Sequence, residues 1–210
     1  MYETPGRLVV RRGAMPTSLR VGYELYVPVV TEPTRSLTIQ LPGGQWIDYW
    51  DESRILSGTL ADYPVPLGRE PIFIRAGALV PMDVQRPYTG HGTRESAGSL
   101  TVLAYPSGSS RFRYRSDARE PWITFTSTLV DTQLTLSADA DPGQPVLYRI
   151  AHWAAPPLSV AVDGLRLTIN GDGAAGSLAQ ASSEAAVNGS RASAWFYDAR
   201  AQRLIVKVVS

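Results

Sequence analysis

Glycine and proline interrupt this chain along its whole length. There are 18 glycines and 16 prolines among the 210 residues, and short apolar runs lie between them at intervals of roughly ten residues. Such spacing is typical of β-sandwiches and barrels, because a helix bundle needs longer segments with apolar residues at every third or fourth position. We find no convincing amphipathic helix. The sequence therefore predicts an all-β protein.

Individual strands and turns can be placed from alternation and turn residues. The segment SLTIQLPGGQWIDYW, residues 36–50, predicts two strands joined as a hairpin by the tight turn PGG. The segment PIFIRAGALVPM predicts two short strands broken at Ala76-Gly77. A hairpin is predicted around Asp163-Gly164, which is the strongest local turn signal in the chain. The segment AWFYDARAQRLIVKVV predicts a further hairpin.

A polar, glycine-rich stretch at residues 83–99 separates two β-rich regions. We therefore predict two small antiparallel β-sandwich domains in tandem, residues 1–90 and 91–210, with residues 1–22 left unassigned. The small and polar residues at 171–190 predict a mobile loop.

The overall charge and composition exclude several classes of partner. The net charge is +1, so no global field favours nucleic acid or a membrane surface. The absence of cysteine excludes disulfides and thiolate metal sites. No apolar run approaches the ~20 residues of a membrane span. The segment MYETPGRLVVRRGAMPTS lacks the apolar core of a signal peptide, which favours the cytoplasm without fixing the location.

The stretch LPGGQWIDYWDES, residues 41–53, combines aromatic and acidic side chains. In a strand, Trp46, Asp48 and Trp50 would share one side. A glycosidase needs two carboxylates ~5–10 Å apart across a concave site, and nothing in the sequence directs Asp48 and Asp51 towards one. We interpret the aromatics as core and the acids as solvated. Trp46 and Trp50 are the candidates for a sugar-stacking surface.

Other candidates for chemistry carry little signal. His91 and His152 are far apart and lack the spacing of metal ligands, so we assign no metal and no cofactor. The GDG at 171–173 lacks the ligand series of a calcium loop. Asn188-Gly189-Ser190 fits a three-residue glycosylation sequon. No nucleophile elbow or phosphate-binding glycine loop occurs.

Arginines alternate with aromatic residues in the segment RFRYR. Arg111, Arg113 and Arg115 would form one stripe, with Phe112 and Tyr114 on the opposite side. This pattern predicts a half-buried strand with a solvated basic face. One such stripe on a nearly neutral protein is weak support for nucleic-acid binding.

Residues 26–82 resemble the stretch directly after the catalytic barrel in glycoside hydrolase family 31, the α-glucosidase and α-xylosidase family. The matching residues, in order, are Pro28, Val29, Leu41, Pro42, Gly44, Trp46, Asp48, Trp50, Pro71, Phe73, Arg75, Gly77 and Pro81. From residue 99 onward, LTVLAYPSGSSRFRYRSD and the later segments resemble the distal β-domain of that family. The resemblance covers roughly residues 23–210.

The resemblance places no catalytic residue on this chain. The catalytic aspartates of the family lie on its barrel, for which there is no room here. The family's nucleophile motif has Trp-x-Asp followed by Met-Asn-Glu, and Trp46-Ile47-Asp48 matches only its start, since Tyr49-Trp50-Asp51 follows. A further departure is Arg115-Ser116-Asp117, where relatives carry an acidic turn.

We therefore interpret the chain as a non-catalytic pair of C-terminal β-domains from an α-glucosidase-like enzyme, structural in role and inactive alone. A carbohydrate-binding module and an interaction or oligomerisation module remain as alternatives. The apolar run at residues 64–82 predicts an exposed surface for self-association or for a catalytic-barrel partner. We expect no nucleic-acid and no membrane partner.

Overall fold

The structure, a computed structural model, describes residues 18–30, 32–84, 97–115, 119–171 and 177–209. By compactness the chain divides into two units, Met1–Ala76 and Gly77–Ser210. The strands of the first unit are β1 Ser18–Val21, β2 Leu25–Pro28, β3 Ser36–Gln40, β4 Trp46–Asp48, β5 Ile55–Leu56, β6 Thr59–Pro64 and β7 Phe73–Arg75.

The first unit packs two antiparallel sheets around an aromatic core. One sheet has five strands in the order β1-β2-β7-β4-β5, and β3 pairs with β6 in the other. Phe73 on β7 is fully buried, and its ring lies 5.2 Å from that of Tyr63 on β6 and 6.5 Å from that of Tyr26 on β2. The buried cluster consists of Tyr26, Ile39, Leu41, Trp46, Tyr63, Val65 and Phe73.

The described residues of the second unit form eleven further strands and one short helix. Its elements are β8 Leu79–Val84, β9 Ala97–Ala104, β10 Ser109–Tyr114, β11 Ile123–Val130, β12 Gln133–Ala138, β13 Val146–Ile150, β14 Val160–Asp163, β15 Arg166–Ile169, β16 Ala179–Gln180, α1 Glu184–Gly189, β17 Ala194–Asp198 and β18 Arg203–Val208. A five-stranded sheet has the order β10-β11-β12-β15-β14, and a six-stranded sheet has the order β16-β17-β18-β13-β9-β8.

The core of the second unit draws on both of its sheets. Phe125 and Leu136 come from the five-stranded sheet, whereas Leu100, Tyr148 and Leu204 come from the six-stranded sheet, and all belong to one buried cluster. Burial alternates along β11 and β13, as a half-buried strand requires. The nearly all-β fold predicted from the glycine and proline spacing is thus confirmed. Two strand pairs, β9 with β13 and β16 with β17, are parallel rather than antiparallel.

The local predictions are partly confirmed. β14 and β15 form the hairpin around Asp163-Gly164, and β17 and β18 form the later one. The strands of PIFIRAGALVPM break at Ala76-Gly77 as expected. The predicted hairpin through PGG is wrong, because β3 pairs with β6 while β4 pairs with β5 and β7. The turn residues carry the chain from one sheet to the other instead of reversing it within one.

The two strands on either side of Ala76-Gly77 belong to different compact units. β7 lies inside the first sheet, whereas β8 pairs with β9 in the six-stranded sheet of the second unit. The division between units therefore falls at this break. Most of the linker predicted at residues 83–99 lies outside the described residues, so the domain limits of 1–90 and 91–210 stay a prediction.

The segment predicted as a mobile loop, residues 171–190, contains ordered elements. Residues 177–190 include β16 and α1, whereas residues 172–176 lie outside the described part. α1 begins after Ser183, whose hydroxyl accepts a hydrogen bond from the Ala186 amide at 3.1 Å, and it buries Val187 completely. A six-residue helix with one buried side chain is too short to show a helical period.

Two charged side chains hold α1 on the six-stranded sheet. Arg149 on β13 forms an ion pair with Glu184 in the first turn. Lys207 on β18 donates to the carbonyl oxygens of Asn188 and Ser190, at 2.9 and 2.6 Å, where the helix ends. Within the described ranges, no helix is both long and apolar enough to cross a membrane.

The break between the two units makes a specific demand on Gly77. Its φ is +91°, and a Cβ atom at this position would lie 3.1 Å from the carbonyl oxygen of Ser107. Gly77→Ala should therefore lower the free energy of unfolding by about 2–3 kcal/mol, through left-handed backbone strain and a close contact together. Urea denaturation followed by circular dichroism measures this loss.

Gly164→Ala is the matched control. Gly164 also has a positive φ, +55°, but nothing lies within 4 Å of the added carbon. Gly164→Ala should therefore lower the free energy of unfolding only by the cost of the left-handed backbone conformation, about 1–2 kcal/mol. An equal loss in both variants would contradict the contact with Ser107.

Candidate functional site

The aromatic and acidic stretch at residues 41–53 centres on β4, which lies between β7 and β5. Trp46, Ile47 and Asp48 are each at most 3% exposed. Alternation placed Ile47 on the opposite side from its neighbours, and the structure shows that both sides of β4 are covered. The prediction that the acids of this stretch are solvated is therefore wrong for Asp48, which must find its hydrogen-bond donors inside the protein.

Asp48 receives those donors on both carboxylate oxygens. Oδ1 accepts from the backbone amides of Trp50 and Asp51, at 2.9 and 3.3 Å. Oδ2 accepts from the hydroxyl of Tyr63 at 2.7 Å and from Nη1 of Arg54 at 3.3 Å. The carboxylate therefore ties the loop after β4 to β6, and no oxygen is presented to a ligand.

Tyr63 is the deepest donor to this carboxylate. Its ring packs edge-on against Phe73 at 5.2 Å, and the guanidinium carbon of Arg54 lies 5.5 Å from its centre. Burial, reinforced by the hydrogen bond to Asp48, raises the pKa of Tyr63 well above its usual value. The phenol thus stays protonated and keeps donating to Asp48 across the neutral range.

Asp51, the second acid of the stretch, is exposed and bound locally. Its Oδ1 accepts from the hydroxyl and the amide of Ser53, at 2.6 and 3.2 Å. The hydrogen bond from the Ser53 hydroxyl holds the pKa of Asp51 below its usual value. A glycosidic acid needs a raised pKa and a partner carboxylate across the sugar. Asp51 has the opposite shift, and Asp48 is enclosed.

The two tryptophans are used differently. Trp46 is 3% exposed, its indole nitrogen donates to the carbonyl oxygen of Pro42 at 2.8 Å, and its ring lies 5.9 Å from Tyr26. Its face cannot meet a sugar without opening the core. Trp50 is half-buried, and its indole nitrogen donates to the carbonyl oxygen of Glu70 at 2.6 Å.

The ring of Trp50 is also contacted on several sides. Tyr49 meets it edge-on at 5.1 Å, and the guanidinium carbon of Arg69 lies 5.5 Å from its centre. A sugar-stacking platform requires an open aromatic face. Trp50 would have to lose its cover by Arg69 before it could present one.

The remaining candidates from the sequence do not gather into a site. His91 lies outside the described residues, as do Asp172 and Gly173 of the GDG segment. His152 is half-buried, with a φ of +57°. Among the residues that are described, His, Asp and Glu side chains nowhere form a cluster of three that could hold a metal ion. Asn188 is exposed within α1.

The apolar run at residues 64–82 is divided between core and surface. Val65 and Leu79 are buried, whereas Leu67 is fully exposed in the turn after β6. Val80 and Met82 on β8 are half-buried. Only part of the predicted surface is therefore available to a partner, and Leu67 is its most exposed apolar side chain.

The family model for the glycosyl hydrolase family 31 C-terminal domain matches residues 14–80. The matched segment includes β4, Asp48 and both tryptophans. These residues are similar to the C-terminal domain of family 31. The match confirms the resemblance seen in the pattern of tryptophan, aspartate, proline and glycine between residues 26 and 82.

Relatives with known names are much longer proteins. The chain is 32% identical over 111 residues to an isomaltosyltransferase of Sporosarcina globispora, which covers 51% of the chain and 10% of that protein. It is 35% identical over 97 residues to a 1,6-alpha-glucosyltransferase of the same organism, which covers 44% of the chain and 7% of that protein. The chain thus spans about a tenth or less of the curated relatives it matches.

Two solved enzymes have folds similar to that of this chain. The cycloalternan-forming enzyme of Listeria monocytogenes, in complex with a pentasaccharide substrate, matches with a TM-score of 0.75 and 23% identity, over 93% of this chain and 18% of that one. The family 31 dextranase of Flavobacterium johnsoniae, complexed with glucose, matches with a TM-score of 0.67 and 18% identity, over 91% of this chain and 25% of that one.

The hydrogen bonds around Asp48 predict a large stability effect of substituting this acid and a small effect of substituting Asp51. In Asp48→Asn, an amide NH2 group replaces one carboxylate oxygen and faces hydrogen-bond donors from which it cannot accept. Arg54 also loses the carboxylate with which it pairs, so the free energy of unfolding should fall by about 2–4 kcal/mol. Asp51→Asn, the matched control, should change it by about 0.5 kcal/mol or less. Urea denaturation compares the two, and equal small losses would contradict a structural role for Asp48.

The raised pKa of Tyr63 predicts a loss of stability in alkali. The unfolded chain releases the tyrosine proton near pH 10, whereas the folded chain retains it to a higher pH. The stability from this group is therefore fully present below about pH 10 and is lost as the pH rises through the folded pKa. Between about pH 10 and 11, wild type should lose stability more steeply than Tyr63→Phe.

Urea midpoints measured at several pH values test this difference. Tyr148 in the second unit also has its pKa raised by burial, and it is unchanged in the variant, so it contributes equally to both proteins. Parallel pH profiles for wild type and Tyr63→Phe would mean that Tyr63 does not carry the effect.

Proposed function

We propose that this chain is a non-catalytic β-module that supports the catalytic domain of a family 31 enzyme. The observation that carries the proposal is the enclosure of Asp48. This residue stands in the family-like Trp-x-Asp sequence, yet it is 2% exposed and both of its oxygens accept hydrogen bonds from the protein itself. A carboxylate held in this way stabilises a fold and has no free oxygen for a substrate.

The comparisons support a place beside a catalytic domain. The matching family model describes a C-terminal domain, and the relatives that carry the same segment are transferases many times longer than the match. We propose that the parent enzyme of this module acts on α-glucosidic or α-xylosidic linkages. The substrate would be selected by the catalytic domain, and the module would contribute rigidity.

An interaction role is a second candidate, and the exposure of Leu67 favours it. Leu67 is fully exposed at a turn, next to exposed Pro66. Its apolar side chain is removed from water only if another surface covers it. Self-association and docking to a catalytic barrel would both cover this turn. A sugar-binding role draws less support, because Trp46 is enclosed and Trp50 is covered by Arg69.

A turnover assay tests the proposal. The purified chain, incubated with an aryl α-glucoside, should release no more aryl alcohol than Asp48→Asn and Asp51→Asn do. Steady turnover that disappears in either variant, while circular dichroism shows that the variant is folded, would overturn the non-catalytic assignment. Activity that is equal in all three proteins would not arise from Asp48 or Asp51.

Tryptophan variants separate the structural role from the sugar-binding alternative. Trp46→Ala should cost about 3–5 kcal/mol of stability, as expected for a large core aromatic, and Trp50→Ala should cost less because its ring is only half-buried. If Trp50→Ala kept wild-type stability and abolished binding to dextran, the binding-module alternative would replace the proposal.

A further inference from the structure

The outer face of the five-stranded sheet carries rows of hydroxyl and guanidinium groups. Its inner face supplies Phe125, Leu134, Leu136, Leu167 and Ile169 to the core, so the alternate positions point outward. The strand register aligns those outward residues in rows across the sheet. One row contains Thr128, Thr135 and Thr168, and the next contains Thr126, Ser137 and Arg166. On β10, Arg111 lies opposite Thr126 and Arg113 lies opposite Thr124.

Arginines dominate the edge of this face. Arg111 and Arg113 are exposed on β10, at alternate positions about 7 Å apart along the strand. Phe112 and Tyr114, between and beyond them, pack against the core. Two of the three arginines predicted to form a stripe therefore face solvent from β10, whereas Arg115 follows the strand and is half-buried.

Trp122 organises this edge in a way that the sequence did not reveal. The guanidinium carbons of Arg113 and Arg115 lie 4.8 and 4.5 Å from the centre of its ring. A guanidinium group above an indole face, such as that of Arg113, can still donate hydrogen bonds through its N–H groups. Two cations are thus held together on one aromatic ring.

Arg111 and Arg113 are the two exposed arginines of this edge. Within the described part of the chain, neither Arg111 nor Arg113 forms an ion pair. Asp139 is close enough to feel the charge of Arg113, but its Oδ1 accepts from the Thr124 amide at 2.7 Å. That contact with Thr124, with a smaller contribution from Arg113, holds the pKa of Asp139 below its usual value.

We propose that this arginine–threonine face, defined by Arg111, Arg113, Trp122, Thr124 and Thr126, binds an anionic polysaccharide through its carboxylate or sulfate groups. A guanidinium group can donate two parallel N–H hydrogen bonds to such an oxyanion. The hydroxyl of Thr126, which shares a hydrogen bond with Ser137 at 2.7 Å, lies in the row beside them and can serve sugar hydroxyls.

A nucleic acid fits the same face less well. Single-stranded nucleic acids are held by bases stacking on open aromatic rings, in addition to phosphate contacts. Trp122 is the aromatic side chain at this edge, and guanidinium groups cover it. The neighbouring aromatics Phe112, Tyr114 and Phe125 pack into the core. The face therefore offers anion contacts and hydroxyls without a stacking platform.

The proposal is independent of the role assigned to the Asp48 region. The face lies in the unit Gly77–Ser210, outside residues 14–80 that match the family model. Binding at this face would give the module a ligand of its own, whatever the catalytic domain acts on.

Calorimetric titration of the whole chain with dextran sulfate and with neutral dextran tests the anionic requirement, because the two polymers share one backbone. Dextran sulfate should bind, neutral dextran of equal length should not, and raising the salt concentration should weaken the binding. The double variant Arg111→Gln/Arg113→Gln should weaken the affinity for dextran sulfate about tenfold or more.

The matched control is Arg191→Gln/Arg200→Gln, which removes the same charge from exposed positions elsewhere in the same unit. It should bind dextran sulfate within about twofold of wild type. An equal loss in both double variants would reduce the effect to non-specific charge, and absence of any binding would also overturn the proposal. So would oligodeoxythymidylate binding as tightly as dextran sulfate, which would assign the face to nucleic acid. Thermal denaturation confirms that each variant is folded.

Discussion

The buried carboxylate of Asp48 is the constraint on which the first unit depends. A charge at 2% exposure is tolerated only because backbone amides, a guanidinium group and a phenol all point at it. These donors come from the loop after β4 and from Tyr63 on β6. One side chain therefore fixes the loop, the entry to β5 and the position of β6 over the aromatic core. Removing the carboxylate, or one of its donors, leaves a polar group without its hydrogen-bond partner.

The hydrogen bonding at Asp48 also explains why an acidic residue in a family-like motif need not be catalytic. Catalysis by carboxylates requires an oxygen that a substrate can reach and a pKa suited to proton transfer. Both carboxylate oxygens of Asp48 accept hydrogen bonds from the protein itself. The hydrogen bond from Ser53 favours the ionised form of Asp51 at the surface. Motif letters alone do not distinguish these uses, whereas the donors around the carboxylate do.

Much of the fold was predictable because alternation and turn residues act locally. The strands of LSVAVDGLRLTI and the break at Ala76-Gly77 follow from a few neighbouring residues. Strand partners did not follow, since the pattern of SLTIQL states which side is buried and not which strand lies beside it. The enclosure of Asp48 also left no local signal, because Tyr63 and Arg54 approach from elsewhere in the chain. Trp122 could have been linked to RFRYR only through the register of β10 with β11.

The parallel pairing of β9 with β13 has a consequence for how the second unit folds. It places Val146 beside Leu100, with the strands β10, β11 and β12 in the chain between them. No hairpin can form this parallel pairing. The two strands can pair only after the chain has lost the conformational entropy of closing the long segment between them. The hairpins of the five-stranded sheet can form within microseconds on their own. Assembly of the six-stranded sheet would then set the folding rate, and until it closes, the unpaired edge of β13 is exposed to pairing with other chains.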